Sequence, residues 1–178
     1  MKLFISSNPQ HYTIFSNFMT NITFMHSRTS DLHHDFSITE ELDSCIWFVA
    51  AEEIFSWDAH QALSFIKKIL NGTSRTENFS VLLIAMYAKE MSPSYNSITS
   101  FSYFASNLAI DKVRANVLNC SWIKEWGEYS QYKSKYQLLG DITATDMINA
   151  AMFLLSSDSR WIAGSTLTVD SGISTINI

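Results

Sequence analysis

Proline is scarce in this chain, two residues in 178, and no glycine- and serine-rich run divides it. Flexible or stiff linkers are built from such segments, so the reading is one domain, and the length suits one with a core of its own. Cysteine is as sparse. Two thiols, Cys45 and Cys120, cannot form a disulfide framework, and they predict a reducing, cytoplasmic setting. Lysine and arginine make no block and the net charge is −5, which argues against nucleic acid as a partner. Apolar runs such as residues 80–87 are too short to span a bilayer. The apolar stretch within residues 1–9 is too short for a secretory signal and reads better as a first strand. The Asn-x-Ser/Thr triplets at Asn21, Asn71, Asn78 and Asn119 are then chance products of composition.

What is present is an ordinary globular balance, 47% hydrophobic and 16% charged, which excludes a disordered chain. Residues 2–6 and 22–26 are strand candidates, with a short helix over 11–20 between them. Residues 45–51 and 81–86 are apolar runs of the kind expected for strands buried on both faces, and 113–118 is a further strand candidate. Ala62, Leu63, Phe65, Ile66, Ile69 and Leu70 fall at helical spacing, and Asn71-Gly72 predicts the stop of that helix. A second long helix is predicted over 95–112. Thr143-x-x-Asp146 has the form of a capping box opening a helix through Leu155, and residues 161–169 form the last strand. Strands alternating with helices predict an α/β fold, a parallel sheet covered on both faces.

The segment Asp146-Met-Ile-Asn-Ala-Ala-Met-Phe-Leu-Leu-Ser-Ser-Asp, continuing through Ala163-Gly164 to Val169-Asp170-Ser171-Gly172, resembles the closing helix and strand of the short-chain dehydrogenase/reductase family. Upstream, Val113-Arg-Ala-Asn-Val-Leu-Asn-Cys-Ser121 is similar to the family's I-R-V-N-x-I-x-P-G. Ser56-Trp-Asp-Ala-His resembles the start of its central helix. The resemblance implies a Rossmann-like parallel sheet over the whole chain, 1–178. Residues 43–172 form the family-like core, and 1–42 a degenerate, truncated nucleotide-binding part with at least one crossover helix missing between 26 and 45.

The departures carry the functional reading. Where the family has T-G-x-x-x-G-I-G, whose glycines let backbone approach a pyrophosphate at a helix N-terminus, this chain reads Ser6-Ser7-Asn8-Pro9-Gln10-His11-Tyr12-Thr13. No glycine remains, and Pro9 lacks a backbone donor. The N-N-A-G turn has become Val49-Ala50-Ala51-Glu52, with a carboxylate where phosphates would sit. Asp35 is the position the family uses for adenine.

The family's tyrosine, lysine, serine and asparagine move a proton while a hydride passes to or from nicotinamide. A phenol with pKa about 10 needs a nearby cation to act near neutrality. Here the tyrosine position is Tyr95, the lysine position Thr99, the serine position Met86 or Tyr87, and the asparagine position Ser64. Cys120-Ser121 replaces the Pro-Gly beside the nicotinamide. Tyr95 is therefore vestigial, or simply an aromatic at a helix start, and no cofactor is expected.

Other residues have bland readings. His33-His34 with Asp31 and Asp35 is poorly spaced for a metal, so no metal is expected. Cys120 lacks a histidine partner in sequence and reads as a buried thiol. The aromatic residues between Trp122 and Tyr136 line a pocket, form a lid or make an interface. The expected function is a non-catalytic subunit, structural or regulatory. It would form a homodimer or tetramer, or pair with a full-length family member, through the helices 57–71 and 95–112. Trp57, Phe65, Phe101, Tyr103 and Phe104 are the expected anchors, because one face of a helix cannot bury three close aromatics. The alternatives are an NAD(P)-dependent, ketoreductase-like enzyme with an atypical site, and a ligand-binding protein or non-redox enzyme using a remodelled pocket.

Overall fold

The computed structural model describes residues 1–7, 9–26, 40–49, 58–86, 95–126 and 138–175, giving the backbone alone for 9, 10, 26, 95–100 and 126. Six parallel strands form one sheet: β1 (Lys2–Ser6), β2 (Ile22–His26), β3 (Leu42–Val49), β4 (Arg75–Met86), β5 (Arg114–Cys120) and β6 (Thr166–Val169). Their spatial order is β2-β1-β3-β4-β5-β6. The helices are α1 (Pro9–Ser16), α2 (Ala59–Gly72), α3 (Tyr95–Ile110) and α4 (Ala144–Leu155).

The continuous apolar runs become central strands because each face must meet a helix layer. Side chains alternate. Leu3, Ile5, Cys45, Trp47, Val81, Leu83, Ala115 and Val117 pack with α2 and α3. Phe4, Ile46, Phe48, Leu82, Ile84, Leu118 and Cys120 pack against α1 and α4 on the other face. A one-residue slip would exchange the two sets, so the register of the inner strands is strongly specified.

Helix ends are set by local chemistry. Asp58 caps α2 by accepting from Gln61 N at 2.8 Å. The helix stops where Asn71-Gly72 predicts it, with Gly72 the last helical residue, and the chain leaves through an extended Thr73. The Thr73 hydroxyl satisfies the carbonyl of Ile69 at 2.7 Å, so no left-handed residue is needed. The capping box at α4 is present, with Thr143 N donating to Asp146 Oδ2 at 2.8 Å and Asp146 N to Thr143 Oγ1 at 3.3 Å.

The last strand is shorter than the predicted 161–169. Asn116 of β5 donates to Ile162 O at 2.9 Å and accepts from Ser165 N at 3.0 Å, holding that stretch as a turn. Against the classical Rossmann order 3-2-1-4-5-6, the described sheet ends at the equivalent of strand 2. Residues 27–39, where a crossover helix is expected to be missing, lie outside the described residues.

Three of the five expected interface anchors are corrected, because they are buried within the subunit. Phe101 and Phe104, three residues apart, share one face of α3 and are 5% and 1% exposed, their ring centroids 6.0 Å apart. Phe65 is buried edge-on against Trp47, centroids 5.8 Å apart. One subunit buries all three. Tyr103 alone of the described set is on the surface, 41% exposed, beside His60 at 4.5 Å. Trp57 lies outside the described residues.

Candidate functional site

In an open parallel sheet, ligands bind beyond the carboxyl ends of the strands where the strand order reverses. That point lies between β1 and β3, because the chain runs from β1 to β2 on one side and returns to β3 on the other. Three side chains meet there. Ser6, the last residue of β1, is fully buried, and its Oγ lies 2.9 Å from His11 Nδ1. His11, in the first turn of α1, is itself buried, and its ring lies on Phe48 of β3 with centroids 4.0 Å apart and planes tilted by 34°. Burial pushes the imidazole down to about 4, so the ring is neutral near pH 7.

Helix α1 is fixed by the same aromatic nest. Phe15 meets Phe4 at 4.9 Å and Tyr12 meets Phe24 at 5.1 Å. The segment that would have to expose bare backbone to a pyrophosphate instead turns a ring inward. In the motif alignment, His11 stands at the second glycine. Asn8 lies outside the described residues.

After β6, the carboxylate of Asp170 accepts from Gly172 N at 2.9 Å and Ser174 N at 2.7 Å. Ser121 N donates to Val169 O at 3.1 Å. Cys120 between them is fully buried. Burial first, then the charges of Asp170 and Asp146, pushes its thiol up to about 12. It is a packing residue, not a nucleophile.

Of the positions carried over from the family motif, Met86 and Ser64 have described side chains. Met86 is buried at the end of β4, and a thioether cannot orient a substrate oxygen as a hydroxyl does. Ser64 faces solvent on α2. Tyr95 and Thr99 are on α3, but their side chains lie outside the described residues, as do Tyr87, Asp31, His33, His34, Asp35, Glu52 and residues 127–137. Among the described residues no group of three His, Cys, Asp or Glu side chains could hold a metal ion, and no helix is long and apolar enough to cross a membrane.

Two functional features escape a reading along the chain. The His11–Phe48 contact joins residues 37 positions apart, and only the loss of glycine at that place hints at it. The two-ended grip of Asn116 has a sequence signal, the asparagine of the I-R-V-N-like segment, but its partners do not.

No family model matches the chain. It is 31% identical over 129 residues to the NADH-dependent enoyl-acyl-carrier-protein reductase of Buchnera aphidicola, covering 61% of this chain and 49% of that one. The chain thus spans about half the length of this curated relative. A short-chain dehydrogenase family protein from Francisella tularensis superposes with TM-score 0.71 at 14% identity, covering 98% of each chain. A short-chain dehydrogenase/reductase of Burkholderia xenovorans gives 0.68 at 14% identity, covering 99% of this chain and 85% of that one. The 3-alpha-hydroxysteroid dehydrogenase of Pseudomonas, solved with NADH, gives 0.63 at 12% identity, covering 98% and 96%.

Proposed function

We propose that this chain, which has the short-chain dehydrogenase/reductase fold, is a non-catalytic member of that group acting as a structural or regulatory partner. The observation that carries this reading is the His11 ring, packed on Phe48 and bonded to Ser6 where a dinucleotide needs bare backbone. A phosphate chain at the first βα turn depends on close approach of main-chain N–H groups, which a side chain directed into the same space prevents. The uncharged Thr99 at the lysine position, and Met86 or Tyr87 rather than a serine at the serine position, add to it.

Pairing gains support from apolar surface outside the core. Met152 and Phe153 of α4 and the nearby-in-sequence Trp161 are exposed, the last to 87%. Such side chains are common at protein contacts. The partner is a second copy or a full-length relative of the same fold.

Calorimetric titration of the purified protein with NAD and with NADP tests the first half. The expected result is no binding at micromolar nucleotide, and a dissociation constant in that range would reject the reading. Light scattering, alone and mixed with a full-length relative from the same source, tests the second half. A monomer in every mixture at high micromolar concentration would reject the partner role.

A second reading has one specific observation in its favour, the 31% identity to an enzyme named for NADH. It makes the chain an oxidoreductase with an atypical cofactor mode, and the same titration separates the two.

A further inference from the structure

We propose that His11 is an intramolecular occupant of the crevice, filling a subsite for a planar nitrogen heterocycle formed by the face of Phe48 and the hydroxyl of Ser6. The inference rests on the reading of the β1–α1 turn as closed to phosphate, but not on the lack of catalysis.

The subsite has the two parts a flat heteroaromatic ring requires. The first is an aromatic face. Phe48 is 1% exposed and meets the imidazole with centroids 4.0 Å apart, closer than the other aromatic pairs of this nest. The second is an edge contact. Ser6 Oγ lies 2.9 Å from Nδ1, and a hydroxyl can donate to a ring nitrogen or accept from a ring N–H. Both residues belong to the sheet, one on β1 and one on β3. His11 belongs to α1, whose eight residues are fewer than the roughly 12–15 that make even a good helix stable alone. Its first turn is held by tertiary contacts, the His11 contacts with Ser6 and Phe48 among them, and entry of a ligand requires that turn to lift from the sheet.

The arrangement is an autoinhibitory contact at the place where this architecture receives ligands. A planar ligand entering between β1 and β3 must displace the imidazole and take over its contacts with Phe48 and Ser6. A ligand lacking a hydrogen-bonding ring nitrogen would leave Ser6 Oγ with a contact to replace, so benzene-like rings are disfavoured.

The experiment uses the full chain and free imidazole as the probe. In the His11→Gly variant the subsite is vacated, and saturating imidazole should raise the melting temperature by about 5 °C. The natural protein should show no rise, and Ser6→Ala added to His11→Gly should remove most of it. Equal responses of the natural and variant proteins, or none in the variant, would overturn the proposal. If His11→Gly does not fold, proton and nitrogen resonances of His11 in the natural protein decide. Ring protons shifted upfield by Phe48 support the proposal, and ordinary shifts with free titration near pH 6.5 overturn it. The two readings fail separately, because nucleotide binding by the natural chain rejects the non-catalytic role without altering the imidazole response.

Discussion

Arg114 at the start of β5 holds the carbonyl oxygen of Leu154, in the last turn of α4, at 3.1 Å. The same guanidinium also reaches Ser159 O and Oγ at 3.1 Å, and Ser156 O at 3.3 Å. A cation at a helix C-terminus satisfies orphan carbonyls and complements the negative end of the dipole. Arg114→Met should therefore destabilise the fold by about 2–4 kcal/mol, since it strands several partly buried acceptors at once. Arg114→Lys should recover only a part, because an ammonium cannot present the planar fork. Urea unfolding at unchanged m-value checks both, and a loss below about 0.5 kcal/mol in the methionine variant contradicts the clamp.

The buried imidazole gives stability a defined pH dependence. His11 titrates about 4 in the fold against 6.5 as its ordinary value, so below pH 6.5 the unfolded chain binds the proton more readily. This contribution is fully present above pH 6.5 and is lost as pH falls toward 4. Between about pH 7 and 5 the loss is roughly 2 kcal/mol. His11→Leu should flatten this part of the profile relative to the natural protein. Parallel profiles of the two proteins would refute it.

The thiols should be silent. Burial pushes Cys45 up to about 12, and Cys120 is similarly raised. A disulfide reagent near neutral pH should react with them only at the rate of unfolding, and the rate should climb with denaturant. Fast labelling of either thiol in the native protein would count against the buried assignments.

Core and surface aromatics of α3 should part company. Phe104→Ala should cost about 3–5 kcal/mol, as for a fully buried ring. Tyr103→Glu should change folding stability by less than about 0.5 kcal/mol. Under the non-catalytic reading, Tyr95→Phe should leave biological activity unchanged. Loss of activity in a folded Tyr95→Phe protein would favour the enzymatic alternative instead.

Much of this architecture is legible along the chain because burial on two faces leaves a direct mark. The run Val81–Met86 has no polar residue to place outward and becomes the inner part of β4. Thr143 and Asp146 announce α4 because a capping box is local chemistry. Aromatic burial in α3 is not legible in the same way. Phe101, Tyr103 and Phe104 look equally apolar in sequence, and only the position of α3 against β5 and α2 turns two inward and one out. The vacated glycines at His11 mark the candidate site negatively, showing what no longer fits. That the ring lies on Phe48 follows from the pairing of β1 with β3, which no local pattern records.

Asn116 has a consequence for the edge of the sheet. Strand β6 has four residues, with Thr166 and Thr168 open to solvent and Leu167 and Val169 only partly covered, so its hydrophobic pattern specifies alignment weakly. The carboxamide, bonded at one end to Ile162 and at the other to Ser165, acts as a mechanical stop that fixes where the strand begins. Without it, as in Asn116→Ala, β6 could slide or peel and leave the hydrogen-bonding edge of β5 bare. An unguarded strand edge templates pairing with other chains, so that variant should aggregate on storage well before it loses its overall stability.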